Sequence, residues 1–190
     1  MKNIYRLDDF IREMNGSVFS AGVSESARLT LATAALQALV ARDDWLPPTM
    51  AEDHPEHYCQ HLLYCDPDRR YSLISAVWGP GQGTPVHDHL TWGVVGMLRG
   101  AEWSQHYSVG DGAPCPIGEP ELLEPGKFTT VSPQSRDIHR VWNAYSDRVS
   151  ISIHLYGGDI GSIERHVFDS ATGAKKSFVS GYGNCLELDL

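Results

Sequence analysis

Apolar positions follow two different rhythms along this chain. Over the first third they recur at helical spacing. Ile4, Leu7, Phe10, Ile11 and Met14 predict a first helix. Leu29, Ala32, Leu36, Leu39 and Val40 form the stripe of a second, from Ser24 to about Ala41. Pro47-Pro48 interrupts the pattern. Asp53, with Glu56 three residues on, has the form of a capping box and predicts a third helix. His57 and His61, four apart, would share a face of that helix, with His54 close by; a second metal site there is one reading.

After Tyr71 the rhythm changes to short runs rich in β-branched and aromatic residues, separated by Gly and Pro. Tyr71–Trp78, Trp92–Leu98, Ala101–Val109, Lys127–Val131 and Val149–Tyr156 each predict a strand. Many short strands with such punctuation suggest a sandwich or barrel. The expected architecture is mainly β. A helical part over about 1–65 packs on the outside of a β-barrel over about 70–185, within one domain spanning 1–190. A chain of 190 residues is ordinary for one domain and long enough to bury a core without staples.

Charge narrows the partners. The net charge of −9 repels phosphate backbones and anionic lipid, so nucleic acid and membrane are poor expectations. No stretch approaches the roughly 20 apolar residues that span a bilayer. Met1-Lys2-Asn3-Ile4-Tyr5 leads into acidic residues, which argues against a signal peptide. Cys59, Cys65, Cys115 and Cys185 form no CxxC, and a reduced, cytoplasmic setting follows. Cys59 and Cys65 read as buried thiols. A monomer or weak homo-oligomer is expected.

The strongest chemical signal is Pro85-Val86-His87-Asp88-His89. On a strand, residues two apart share a face, so His87 and His89 can aim at one point while Asp88 points away. His139 offers a third strand-borne imidazole. Such a trio suits iron, zinc, copper or nickel; an HxH on a solvated strand edge is the alternative. The spacing of the surrounding residues favours the metal site. Gly81, His87-Asp88-His89, Gly93 and Gly100 look like the first cupin motif, and Gly126, Pro133, His139 and Asn143 resemble part of the second. Many cupins carry a glutamate ligand where this chain has Gly93. Three neutral ligands leave a divalent ion its full charge, which favours an anionic ligand such as a thiolate.

Val149 to Tyr156 alternates cleanly, with Ser150, Ser152, His154 and Tyr156 on one face and Val149, Ile151, Ile153 and Leu155 on the other. The polar face can look to water or, in a cupin, into the metal-holding lumen. His106 and His166 have no evident partners in the sequence. Trp78, Trp92, Trp103 and Trp142 are expected to pack the barrel or line its mouth.

Together these stretches resemble the bacterial thiol dioxygenases, the group containing cysteine dioxygenase and 3-mercaptopropionate dioxygenase. The matching segments are Tyr58-Cys59-Gln60, Trp78-Gly79-Pro80-Gly81, Pro85 to Gly100, Asp137 to Val141, and Ser152 to Tyr156. The resemblance implies ferrous iron on His87, His89 and His139, and a relay of Ser152, His154 and Tyr156. It implies a small thiol carboxylate and O2 as substrates, with no organic cofactor. Mammalian-type cysteine dioxygenases have an arginine at the position of Gln60 and a cysteine near Gly93 that crosslinks to the relay tyrosine; this chain has neither. The glutamine type resembles 3-mercaptopropionate dioxygenase, in which an arginine nine residues after the relay tyrosine recognises carboxylate. Arg165 stands there, and the resemblance implies substrate binding by Arg165 together with Gln60. L-Cysteine and cysteamine are the competing substrates. A cupin isomerase or ring-cleaving enzyme using another metal, and a non-catalytic ligand-binding cupin, are the competing classes.

Overall fold

A computed structural model describes residues 5–183. Helix α1 (Tyr5–Glu13) runs into a π-helical turn (Met14–Val18), and α2 covers Glu25–Val40. Ser24 caps α2 by accepting the Ala27 N–H at 3.3 Å. Ala32, Leu36, Leu39 and Val40 are buried, with Leu29 packed beside them. Ile4 lies outside the described residues.

No third helix forms. Beyond a 3-10 turn at Pro48–Met50 the chain is irregular until Tyr58. The His54 ring accepts the Glu56 N–H at 3.2 Å, closing a local turn that competes with a helix. From Cys59 the chain is already strand β1 (Cys59–Cys65), paired with β2 (Ser72–Trp78). The helical part therefore ends well before residue 65. His61 sits on β1, while His54 and His57 stack in the loop at 4.0 Å. They share no helix face, and among the described residues they form no metal cluster.

The remaining strands are β3 (Val86–His87), β4 (Gly93–Arg99), β5 (Glu102–Ser108), β6 (Cys115–Leu123), β7 (Phe128–Val131), β8 (His139–Asn143), β9 (Ser150–Tyr156), β10 (Arg165–Phe168) and β11 (Lys175–Phe178). They form two antiparallel sheets, ordered β1-β2-β9-β4-β7 and β11-β10-β3-β8-β5-β6. The result is a jelly roll of two sheets, without a ladder closing it into a barrel. Four strands escaped the sequence pattern for plain reasons. β6 carries Pro116 and Pro120 and is almost wholly exposed at a sheet edge, where proline is tolerated. β10 and β11 are short and end the same sheet. β1 is an edge strand without clear alternation.

The largest apolar core lies between the helices and the outer face of the five-stranded sheet. Phe10, Met14, Leu36 and Leu39 meet Leu73, Val94, Ile151 and Leu155 there. Every residue of β9 is buried. Its apolar side faces that core, so Ser152, His154 and Tyr156 point between the sheets.

Candidate metal centre

Between the sheets lies a cavity of about 310 Å3. His87 and His139 line it, and their strands are register partners. The potential ligand atoms of His87, His89 and His139 all lie within 4.8 Å of one another. His87 and His139 sit on regular strands, while His89 lies just past β3.

A hydrogen bond orients each ring. His87 Nδ1 is 3.0 Å from the Pro85 carbonyl. His89 Nδ1 is 3.0 Å from the Asp137 carbonyl and 3.3 Å from its carboxylate. These partners only accept, so Nδ1 carries the proton and Nε2 presents a lone pair. His139 Nδ1 meets Ser104 Oγ at 3.2 Å, which fixes the plane of the ring through a hydroxyl able to donate or accept. Burial holds His139 well below the usual histidine range and pushes His87 down to about 3, with the neighbouring histidines adding to both. Buried, pre-oriented nitrogens converging on one point fit a first-row metal ion.

Asp137 is the organiser that sequence reasoning did not single out. Its carboxylate also accepts the backbone N–H groups of His89 and Leu90, at 3.0 and 3.1 Å. Leu90 has φ +56°, a left-handed conformation costly for leucine, at the bend these bonds hold. Burial raises the Asp137 carboxyl, but the His89 ring and the two N–H donors outweigh it, and the net shift is downward. Asp88, as expected, points elsewhere: its carboxylate takes the His166 N–H at 2.7 Å and ring at 2.8 Å. His166 thus has a partner after all, and the pair fastens β10 beside β3. His106, the other histidine without an evident partner, stacks on His139 at 5.8 Å.

Across the cavity, Tyr156 stacks on His89 at 5.5 Å. Its hydroxyl is 2.9 Å from His154 Nδ1, and His154 Nε2 is 2.8 Å from Ser152 Oγ. Burial raises the Tyr156 phenol, a rise the Arg165 charge opposes, and pushes His154 down to about 3. A Cβ at Gly93 would stand 2.7 Å from the Tyr156 ring, so glycine is what admits the ring here. A second missed residue, Glu102, accepts from Ser152 Oγ at 2.8 Å. It lies within the predicted strand Ala101–Val109, and nothing in the sequence marks its carboxylate as buried.

Residues 49–169 match the family described as cysteine dioxygenase type I. The chain belongs to that family. Its members are thiol dioxygenases, which makes this protein an oxidoreductase acting on a thiol with O2. Solved structures with a similar course include a cupin-like protein from Thermotoga maritima (16% identical, 63% of this chain and 86% of that one, TM-score 0.47). Others are a cupin superfamily protein from Desulfitobacterium hafniense (12%, 62% and 94%, 0.46) and a double-stranded β-helix protein from Klebsiella pneumoniae (11%, 70% and 87%, 0.45).

Arg165 and Gln60 both line the cavity. Arg165 is 3% exposed; its Nη2 donates to Ser180 Oγ at 2.7 Å, it lies over Phe178 at 4.8 Å, and its Nε has no hydrogen-bond partner among the described residues. Gln60 Nε2 donates to Tyr58 Oη at 2.7 Å, and Tyr58 stacks on Trp78 at 4.6 Å. Of the other tryptophans, Trp92 packs near Phe19 and Trp103 stacks on Trp142. Cys59 and Cys65 are half-buried rather than buried. No described helix is long and apolar enough to cross a membrane.

Proposed function

We propose that the protein is a ferrous-iron thiol dioxygenase of the glutamine type. It adds both atoms of O2 to the sulfur of 3-mercaptopropionate, giving 3-sulfinopropionate. The observation that carries this reading is Arg165, a buried guanidinium lining the same cavity as His87 and His139, with no carboxylate paired to it among the described residues. A buried cation of this kind calls for an anion, and a substrate carboxylate matches its planar fork.

His87, His89 and His139 would hold the iron, which supplies the place where thiolate and O2 react. Arg165 anchors the carboxylate at the other end of the substrate. Gln60, its amide engaged by Tyr58, shapes the adjoining wall. Tyr156 donates a hydrogen bond to bound substrate or oxygen, with its direction set by His154 and Ser152. The cavity also argues about the amine. Among the described residues that line it there is no Asp or Glu, so an ammonium group would be buried without a counter-charge. That disfavours L-cysteine and cysteamine.

The test is anaerobic loading with ferrous iron, then oxygen uptake with 3-mercaptopropionate, L-cysteine and cysteamine in parallel. The expected result is one O2 per sulfinate, with the highest kcat/KM for 3-mercaptopropionate. Arg165→Met should raise KM for that substrate about 10- to 100-fold, the value of a charged hydrogen bond. A preference for cysteine would refute the glutamine-type assignment. No uptake with any thiol would refute the dioxygenase reading for this chain.

A further inference from the structure

Ser152 has three polar neighbours, and their chemistry leaves little choice in how its hydrogen bonds run. A hydroxyl donates once and accepts twice. The Trp78 indole N–H, which can only donate, lies 3.1 Å from Ser152 Oγ. Glu102 Oε2 and His154 Nε2 are each 2.8 Å away. One of these two must receive the Ser152 proton, and the other must donate to Ser152.

With Glu102 ionised, Ser152 donates to it. His154 then carries its proton on Nε2, and Nδ1 accepts from the Tyr156 hydroxyl. Tyr156 turns its proton away from the cavity. With Glu102 protonated on Oε2, every bond reverses. Glu102 donates to Ser152, Ser152 donates to Nε2, Nδ1–H donates to Tyr156, and the phenol proton is free to face the cavity. Neutral His154 has one donor and one acceptor nitrogen, so it passes the direction on without loss.

We propose that Glu102 is the positioning residue at the end of the relay, and that its protonation state sets which way the Tyr156 hydroxyl points. Resting on the proposed thiol substrate, it is also where the thiol proton goes. That proton reaches the Tyr156 oxygen, the phenol proton passes to His154 Nδ1, the Nε2 proton to Ser152, and the Ser152 proton to Glu102. One proton enters and one arrives. Thiol and carboxylate become thiolate and carboxylic acid, and no electron moves. At the end Tyr156 points its hydroxyl at the thiolate it has just helped to form.

The surroundings suit this role. Glu102 is 1% exposed on β5, with Leu123 of β6 and Asn143 of β8 as register partners. β2 presents Trp78, and β9 presents Ser152 with His154 one hydroxyl further on. His154 and, beyond it, Tyr156 are the titratable groups on that side, and the Glu102 charge raises the phenol. His89 bears electrostatically on His154. Burial drives the Glu102 carboxyl up to about 7, against the pull of Ser152 and Trp78. Both of its states are then populated near neutrality.

The test reads His154 directly. The full chain, loaded with diamagnetic zinc and 15N-labelled at histidine, is followed by NMR through neutral pH. The protonated nitrogen of His154 should move from Nε2 to Nδ1 as pH falls, with a midpoint of about 7. Glu102→Gln, nearly isosteric, should abolish that midpoint. In Ser152→Ala the carboxyl should still titrate by infrared difference spectroscopy while His154 no longer follows it. A single His154 tautomer throughout the range in the wild type overturns the proposal; so does an unchanged midpoint in Glu102→Gln. Thiol turnover is scored separately in the iron-loaded wild type. A switching His154 without thiol oxidation sinks the substrate reading alone, and oxidation with a fixed His154 sinks this inference alone.

Discussion

Two of the three ligand histidines and the relay histidine are buried imidazoles held in opposite ways. On the six-stranded side and the bend after β3, His87 and His89 lean on groups that only accept, the Pro85 carbonyl and Asp137. Neither of those partners can donate, so the Nδ1 proton of each ring has one direction to go. On β9, His154 lies between two hydroxyls, each able to donate or accept. Its tautomer is therefore decided elsewhere, at Glu102. A metal site needs lone pairs that never turn away, whereas a proton path needs bonds that reverse. One cavity has both because its two walls offer different second partners to the same side chain.

Four substitutions sharpen or break that contrast. The largest effect is expected from His139→Ala, which removes a proposed ligand outright: no iron should remain at stoichiometric loading, as metal analysis will show. Tyr156→Phe should leave iron content intact and lower kcat by about 10²–10³, the cost of losing one preorganised donor. Unchanged turnover in steady-state kinetics would remove the relay from the proposed mechanism. Asp137→Asn should weaken metal affinity about 10- to 100-fold by competition with a chelator, since it loosens His89 without deleting it. An unaltered affinity would mean that the ligand side is not held from behind as described.

The smallest effect concerns stability, not activity, and requires its sign. The Glu102 carboxyl is raised by burial to about 7 in the folded chain, above its ordinary value of 4.5. Its neutral form is favoured by folding, so full stability is present at acid pH. Stability falls as pH rises from the unfolded value through the folded one, then levels off. Glu102→Gln removes that loss. It should be near neutral at acid pH and stabilising by about 3 kcal/mol above the folded value, as denaturant melts at both pH values will report. Equal effects at the two pH values would show that Glu102 is not the titrating group.

The sequence carried the parts of this protein that depend on neighbours along the chain. Strand alternation placed His154 and Tyr156 on one face, helical spacing located α2, and glycine spacing around His87-Asp88-His89 pointed to the jelly roll and its metal site. Locally ambiguous segments were misread. The loop after Pro48 has a capping-box pattern but ends in a strand, because a ladder to β2 outweighs local propensity.

What only the tertiary structure decided is the set of partners behind each functional side chain. Asp137 lies 48 residues from His89, and Glu102 lies 50 from Ser152. No periodicity links such pairs; they meet because strands distant in the chain share a cavity between two sheets. Alternation also left open whether the polar face of β9 meets water or the interior. The helices settled it by covering the apolar face, since only one side of a strand can pack against them. The same burial then moved Glu102 from an ordinary acid to one poised near neutrality, because an ionisation costs far more where water is excluded.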